Sequence, residues 1–371
     1  MRVCLKYARA FSNCCTWWSG RNPNTICEEI LKEEKTMKQR WLALALTAIM
    51  TAGSAWALVG CSLNKSGAPA TAPGELKKVK IGYSGGACEA FLFTAYENGF
   101  FKEEGLDVEL VKTDFETLKE SLATNKIQGA SGMVMKWIKP FEQGIDVAFT
   151  AGIHTGCIQT LVPVNSPISS VADLKGKVIG NNGMGDGPMV FTARALAKAG
   201  VDYKKDVQWK AFPATELEGV LERGEVDAIT LSDPLAQMIV EKGKARKLVN
   251  TADDQPYHDE YCCMSTISGK LLKEDPATAA AITRGMMRGA KWVAEHPDET
   301  AKLIVEKKYI PGNPELVAKL LKNYNYVPSV DGGEQAVDNA ARETKAIGLL
   351  DPLTNIDELK KRVFIRLKGV N

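Results

Sequence analysis

The sequence lacks most features that mark nucleic-acid-binding proteins and common enzyme classes. Its formal net charge is only +2 over 371 residues, which provides no strongly basic surface for nucleic acid. It has no Cys-x-x-Cys pair, so zinc-ribbon spacing is absent. No glycine-rich stretch is followed by Gly-Lys-Ser/Thr, so a P-loop is excluded, and no Ser/His/Asp arrangement is readable. We therefore expect no nucleic-acid partner and no cofactor.

The sequence has a single long apolar run, from Trp41 to Gly60, and it carries no charge. It follows the basic stretch Met37–Arg40 and becomes rich in small residues near its end, as in a cleavable secretory signal. An uncleaved membrane span of this length is the alternative. The run ends at Leu-Val-Gly-Cys61, which resembles the lipobox of bacterial lipoproteins. The resemblance implies that Cys61 becomes the lipid-modified first residue of the mature protein, since attached acyl chains give stable membrane anchoring.

A signal peptide should begin near the first residue, yet this one begins at Met37. We interpret residues 1–36 as a wrongly assigned start, with a long leader as the alternative. Residues 37–60 then form the signal peptide. Residues 61–76, rich in Ser, Ala, Pro and Gly, form a flexible tether.

After the tether, short β-like runs alternate with amphipathic helical segments in two successive cycles. Such alternation predicts an α/β fold with largely parallel sheets flanked by helices. The two cycles are separated by a stretch containing Pro163 and Pro167, and everything after Lys270 is predicted to be helical. We expect lobe 1 to comprise residues 77–164 and 261–371, and lobe 2 to comprise residues 165–260.

Several segments resemble a known protein family: AYENGFFKEEGLDVEL, LATNKIQGASGM, SVADLKGKVIG, LERGEVDAI and SDPLAQ. They are similar to segments found in this order in the nitrate, sulfonate and taurine family of substrate-binding proteins, which also includes thiamine-precursor-binding proteins. The resemblance implies a fold like that of type II periplasmic binding proteins, with two α/β lobes, two crossovers, a hinge and a helical C-terminal region.

The same resemblance implies the binding component of an ABC importer, and not an enzyme. A small polar or anionic solute would bind between the lobes, and a membrane permease would be the partner. The protein would be a lipid-anchored monomer on the extracytoplasmic face of the cell membrane. A ligand sensor or surface binding protein of the same fold is one alternative. A pyrimidine-synthase-like enzyme is another, for which only the two cysteines of YCCM (261–264) give a resemblance.

Open α/β sheets bind ligands beyond the carboxyl ends of their strands, and this rule selects the candidate site residues. Two glycine-rich turns, 84–88 and 183–188, each precede a predicted helix, whose N-terminal N–H groups favour anions. Facing each other, they would hold a small anionic or polar ligand; ordinary turns are the alternative. The candidates are Ser84, Gly85, Gly86, Cys88, Met133, His154, Thr155, Cys157, Gly185, Asp186, Gly187 and Asp233.

Four cysteines of the body, Cys88, Cys157, Cys262 and Cys263, fall near the predicted cleft side of lobe 1. Three fates remain open for them. They are inert buried residues, or they form a disulfide outside the cytoplasm. Otherwise they bind a soft metal or thiol-reactive ligand, assisted by His154 and Met133. The sequence alone assigns no metal site.

Overall fold

Five strands form the first of two mixed sheets in the computed structural model, which describes residues 75–371. The strand order is β2-β1-β3-β10-β4, with β1 parallel to β2 and β3, and β10 antiparallel to both β3 and β4. All nine residues of β4 are buried, as expected for a strand covered on both faces. The strands are β1 (Lys77–Tyr83), β2 (Leu106–Lys112), β3 (Gly129–Met133), β4 (Val147–Thr155) and β10 (Tyr261–Ser268).

The second sheet repeats this arrangement, in the order β7-β6-β8-β5-β9. Three parallel strands are again followed by an antiparallel one, β5, which pairs with β8 and β9. The predicted two-lobed α/β fold is therefore confirmed. The strands are β5 (Ile158–Pro163), β6 (Val178–Asn181), β7 (Gln208–Ala211), β8 (Ala228–Ser232) and β9 (Ala245–Asn250).

Strand β5 lies in a different lobe from the one we expected. We assigned residues 157–164 to lobe 1, but β5 belongs to the second sheet. Hydrophobic alternation predicts a strand but not its partners, so the sequence pattern could not assign the sheet. The chain leaves lobe 1 at Gly156 and Cys157, and it re-enters at Tyr261.

Helices cover both sheets, and six of them follow β10, which confirms the predicted helical C-terminal region. Pro276, Pro297 and Pro314 each occupy the first turn of one of these helices, where the missing N–H does no harm. No helix within residues 75–371 is both long and apolar enough to cross a membrane. The helices are α1 (Ala90–Glu97), α2 (Phe100–Glu103), α3 (Phe115–Ala123), α4 (Val134–Glu142), α5 (Gly187–Lys198), α6 (Leu217–Glu222), α7 (Leu235–Glu241), α8 (Gly269–Glu274), α9 (Pro276–Glu295), α10 (Pro297–Glu306), α11 (Pro314–Asn323), α12 (Val330–Ala346) and α13 (Ile356–Val363).

The predictions for the first 74 residues lie outside the described part of the chain. They are the wrongly assigned start (1–36), the signal peptide (37–60), the lipid anchor at Cys61 and nearly all of the tether.

Candidate ligand site between the lobes

A cavity of about 440 Å³ lies between the two lobes. Lobe 1 contributes the turn after β1 and parts of α3 and α4, and lobe 2 contributes the start of α5 and the turn between β8 and α7. This volume suits a small organic ligand. Seven of the predicted residues line the cavity: Ser84, Gly85, Gly86, Cys88, Met133, Asp186 and Asp233.

An aromatic wall on lobe 1 was largely missed by the sequence reasoning. Phe115 and Trp137 line the cavity and meet edge to face, with their ring centroids 5.2 Å apart. Asp114 lies beside Phe115 on the cavity surface. Both Asp114 and Phe115 come soon after β2, so the strand-end rule, applied to that strand as well, would have found them.

The first glycine-rich turn is filled by a side chain of its own segment. The backbone N–H groups of Ser84, Gly85 and Gly86 donate to the Glu89 carboxylate at 3.0, 2.6 and 2.9 Å. Burial raises the pKa of Glu89 to about 7, and these donors oppose that rise. The expectation that this turn offers its N–H groups to an anionic ligand is therefore wrong. The signal was the Glu three residues after Gly86, which has capping-box spacing.

The second glycine-rich turn contacts lobe 1 directly. Asp186, which precedes α5, forms an ion pair with Lys136 of α4, with Oδ1 and Nζ 2.8 Å apart. A Cβ on the next residue, Gly187, would lie only 2.2 Å from the Met133 Sδ atom, so the lobes also touch there. Gly187 therefore serves a close contact between lobes, whereas Gly185 has a φ of +81° in open space. Neither glycine is among the residues that line the cavity.

Asp233 is buried at the end of β8 and joins three segments of the chain. Its Oδ1 accepts hydrogen bonds from the Gln159 side chain at 2.7 Å and the Gln237 N–H at 3.1 Å. Its Oδ2 accepts one from the Tyr324 hydroxyl at 2.9 Å. Burial raises the pKa of Asp233 to about 7 against the effect of these donors. Three bonds leave roughly one of the four acceptor positions of the carboxylate for a ligand.

His154 and Thr155 are buried behind the cavity and do not line it. The His154 Nδ1 atom lies 2.8 Å from the Thr155 carbonyl oxygen, and its Nε2 atom lies 3.0 Å from the Cys88 carbonyl oxygen. Burial opposes protonation of this ring, but the neighbouring Cys263 and Cys88 outweigh it and raise its pKa to about 10. These residues support the base of the cleft without reaching into it.

The four thiols converge at this base, whereas the sequence suggested this for three of them. The Cys157 Sγ atom lies 3.0 Å from that of Cys262 and 4.0 Å from that of Cys263. None of the four forms a disulfide. Cys88 and Cys263 line the cavity between the lobes, whereas Cys157 lines a separate cavity shared with Asp233.

Two α/β lobes, two crossovers and a cavity between the lobes define the fold of the periplasmic solute-binding proteins. Known structures share it. The nitrate-binding protein of Synechocystis PCC 6803 has a TM-score of 0.66 at 16% identity, covering 78% of this chain and 86% of its own. The alkanesulfonate-binding protein of Xanthomonas axonopodis pv. citri has a TM-score of 0.64 at 18% identity, covering 79% and 99%.

A family match agrees with this fold. Residues 88–300, more than half of the chain, match the family described as NMT1/THI5 like, so the chain belongs to that family. A formylaminopyrimidine-binding protein from Halalkalibacterium halodurans is 26% identical over 247 residues, which cover 62% of this chain and 70% of that relative. The family resemblance predicted from the sequence is thereby confirmed.

Proposed function

We propose that this protein is the solute-binding component of an ABC importer and that its solute is a small nitrogen heteroaromatic of the aminopyrimidine type, uncharged or cationic. One observation carries the proposal. Within residues 75–371, the cavity lining combines an aromatic wall with four carboxyl groups, those of Glu89, Asp114, Asp186 and Asp233, against a single ammonium group, that of Lys136.

These charges disfavour the anionic part of the solute class that we expected from the sequence. Lys136 is paired with Asp186, and Glu89 takes up the N–H groups of the first glycine-rich turn. A nitrate or sulfonate entering the cavity would lie among carboxyl groups, and the described lining residues offer it no unpaired cationic group. Burying a charge in this way is costly.

An aminopyrimidine meets the same groups favourably. Its planar ring can pack against Phe115 and Trp137, because aromatic rings prefer edge-to-face or offset contacts. Its amino N–H groups can donate to the remaining acceptor position of Asp233. The formylaminopyrimidine bound by the Halalkalibacterium halodurans relative is a compound of this class, which supports the proposal.

Calorimetric titration tests the solute class. A formylaminopyrimidine should bind, whereas nitrate and an alkanesulfonate should not. Asp233→Asn and Phe115→Ala should each weaken binding by about tenfold or more, which corresponds to at least one lost contact of about 1.4 kcal/mol. Asp107→Asn, an exposed change on β2, is the matched control and should leave affinity unchanged. Tighter binding of nitrate or the sulfonate than of the pyrimidine would contradict the proposal.

The importer role carries further proposals about location and partners. The protein works as a monomer with a membrane permease, on the extracytoplasmic face of the cell membrane, and catalyses no reaction. Cys61 carries the lipid anchor, because the single long apolar run ends directly before that residue. Cys61→Ala should release soluble protein or leave an uncut precursor in fractionated cells. A variant that is cut normally and stays in the membrane would refute the anchor.

A further inference from the structure

Three cysteines from three separate segments meet at the base of the cleft. Cys88 follows β1, Cys157 lies in the crossover between β4 and β5, and Cys263 lies in β10. Their Sγ atoms all lie within 4.8 Å of one another, and those of Cys157 and Cys263 are 4.0 Å apart. Three sulfurs that each lie about 2.3 Å from one zinc ion would be separated by about 4 Å. We propose that Cys88, Cys157 and Cys263 bind one thiophilic divalent metal ion.

The backbone at Cys157 provides a second observation. Its φ is +99°, in a region that side-chain-bearing residues rarely adopt. Among residues 75–371, only Asn125 and Lys308 also have positive φ without being glycine, and both have φ of +60° just after a helix. Cys157 has no such helix end to explain it. Unusual backbone conformations of this kind cluster at functional sites, and here the conformation accompanies a thiol that meets two others.

The number of thiolates favours a divalent ion over a monovalent one. Three thiolates carry three negative charges, so a divalent ion leaves one unbalanced charge and a monovalent ion leaves two. All three cysteines are buried, and the larger unbalanced charge is the less favourable there.

Cys262 lies outside the three-sulfur set and is the natural control. Its Sγ atom is 3.0 Å from that of Cys157, but it is not part of the group whose sulfurs are all mutually close. A disulfide between Cys157 and Cys262 would remove one ligand, so metal binding requires reduced protein. Each thiol that binds as a thiolate releases its proton to solvent.

Zinc titration of reduced protein tests the site. The background is the full chain with Cys4, Cys14, Cys15, Cys27 and Cys61 changed to serine, so that only the four thiols at the cleft remain. This protein is reduced with a phosphine under anaerobic conditions and titrated with Zn²⁺ against a chromophoric chelator. We expect one zinc ion per chain, with X-ray absorption giving Zn–S distances of about 2.3 Å.

Variants in the same background separate ligands from neighbours. Cys157→Ser and Cys263→Ser should each lower zinc affinity by more than about 100-fold. Mutation of residues that only contact metal ligands already lowers metal affinity by about 10–100-fold, and the loss of a ligand should cost more. Cys262→Ser should retain stoichiometric binding. Circular dichroism of each metal-free variant checks that it is folded. In the parent protein, zinc should also slow alkylation of the thiols, and this measurement needs no further variant.

Three results would overturn the proposal. They are the absence of stoichiometric zinc binding by folded, reduced protein, zinc binding that is unchanged in both Cys157→Ser and Cys263→Ser, and binding of Cu(I) but not of Zn²⁺.

Discussion

Asp233 shows how one residue can join the proposed solute site to the connections between the lobes. Its carboxylate binds Gln159 on β5, Gln237 on α7 and Tyr324 just after α11. It also lines both the cavity between the lobes and the neighbouring cavity that contains Cys157. The orientation of this carboxylate therefore depends on groups from both sides of the crossover.

Tyr324→Phe should destabilise the protein by removing one of these donors. The ring remains, so the loss is that of a buried hydrogen bond to a carboxylate, and the free energy of unfolding should fall by about 1.5–3 kcal/mol. Urea unfolding measures the change. Tyr96→Phe, at an exposed tyrosine, is the matched control and should have little effect. Equal stability of the two variants would show that the hydroxyl of Tyr324 contributes nothing to the fold.

The strand-end rule predicted positions at the site better than it predicted their chemistry. It placed Ser84, Gly85, Gly86 and Asp233 at the cavity, because the place where a strand ends can be read from its pattern. It did not show that Glu89 occupies the N–H groups of the first turn, because that depends on how one side chain folds back.

Helix α5 is one of the elements through which the lobes contact each other. Its first residue, Gly187, contacts Met133 of lobe 1, and its buried Arg194 forms ion pairs with Glu260 and Glu343 at 2.8 and 2.6 Å. Glu260 lies in the return crossover and Glu343 lies in α12 of the C-terminal region. The position of α5 thus sets how closely the lobes approach each other.

Gly187→Ala should disturb the contact between the lobes, because the added Cβ would lie 2.2 Å from the Met133 Sδ atom and would force the Met133 side chain to shift at the cavity that it lines. Solute affinity should fall by about tenfold or more, since the binding-competent form becomes less populated. Calorimetry measures this loss. The double variant Gly187→Ala/Met133→Ala removes the clash and should recover most of the affinity. A double variant no better than Gly187→Ala would argue against a steric cause.

Arg194→Met should be strongly destabilising, because it leaves Glu260 and Glu343 near a buried site without their partner. Breaking a buried pair costs about 3–5 kcal/mol, whereas Arg342→Met removes an exposed arginine from its pair with Asp338 and should cost far less. Chemical unfolding measures both changes. Similar losses in the two variants would mean that the Arg194 pairs contribute no more than surface pairs do.

The same cluster gives a dependence on pH. Burial acts to raise the pKa of Glu343, but Arg194 and Lys198 outweigh it and hold that pKa below its ordinary value. A carboxyl group with a lowered pKa in the folded state stabilises the protein above its unfolded pKa of about 4.3 and loses that effect as pH falls. Wild-type protein should therefore lose stability below about pH 4 more steeply than Arg194→Met does. Equal slopes would contradict this account.

At the scale of the whole molecule, residues 75–371 form two sheets with the same order of strand directions, linked twice. The sequence predicted both lobes, because the alternation of strands and helices is local. It misplaced β5, because membership of a sheet depends on strand pairing. The residues of β8 and β9 that pair with β5 lie more than 65 positions further along the chain. The shared arrangement creates the cavity between the lobes, where groups from both meet.

A crystal structure of the protein with a formylaminopyrimidine tests the central claim most directly. We predict that the pyrimidine lies between the lobes, with its ring against Phe115 and Trp137 and an amino group within hydrogen-bond distance of a carboxyl oxygen of Asp233. A pyrimidine bound elsewhere, or a cavity that stays empty at saturating solute, would contradict the account.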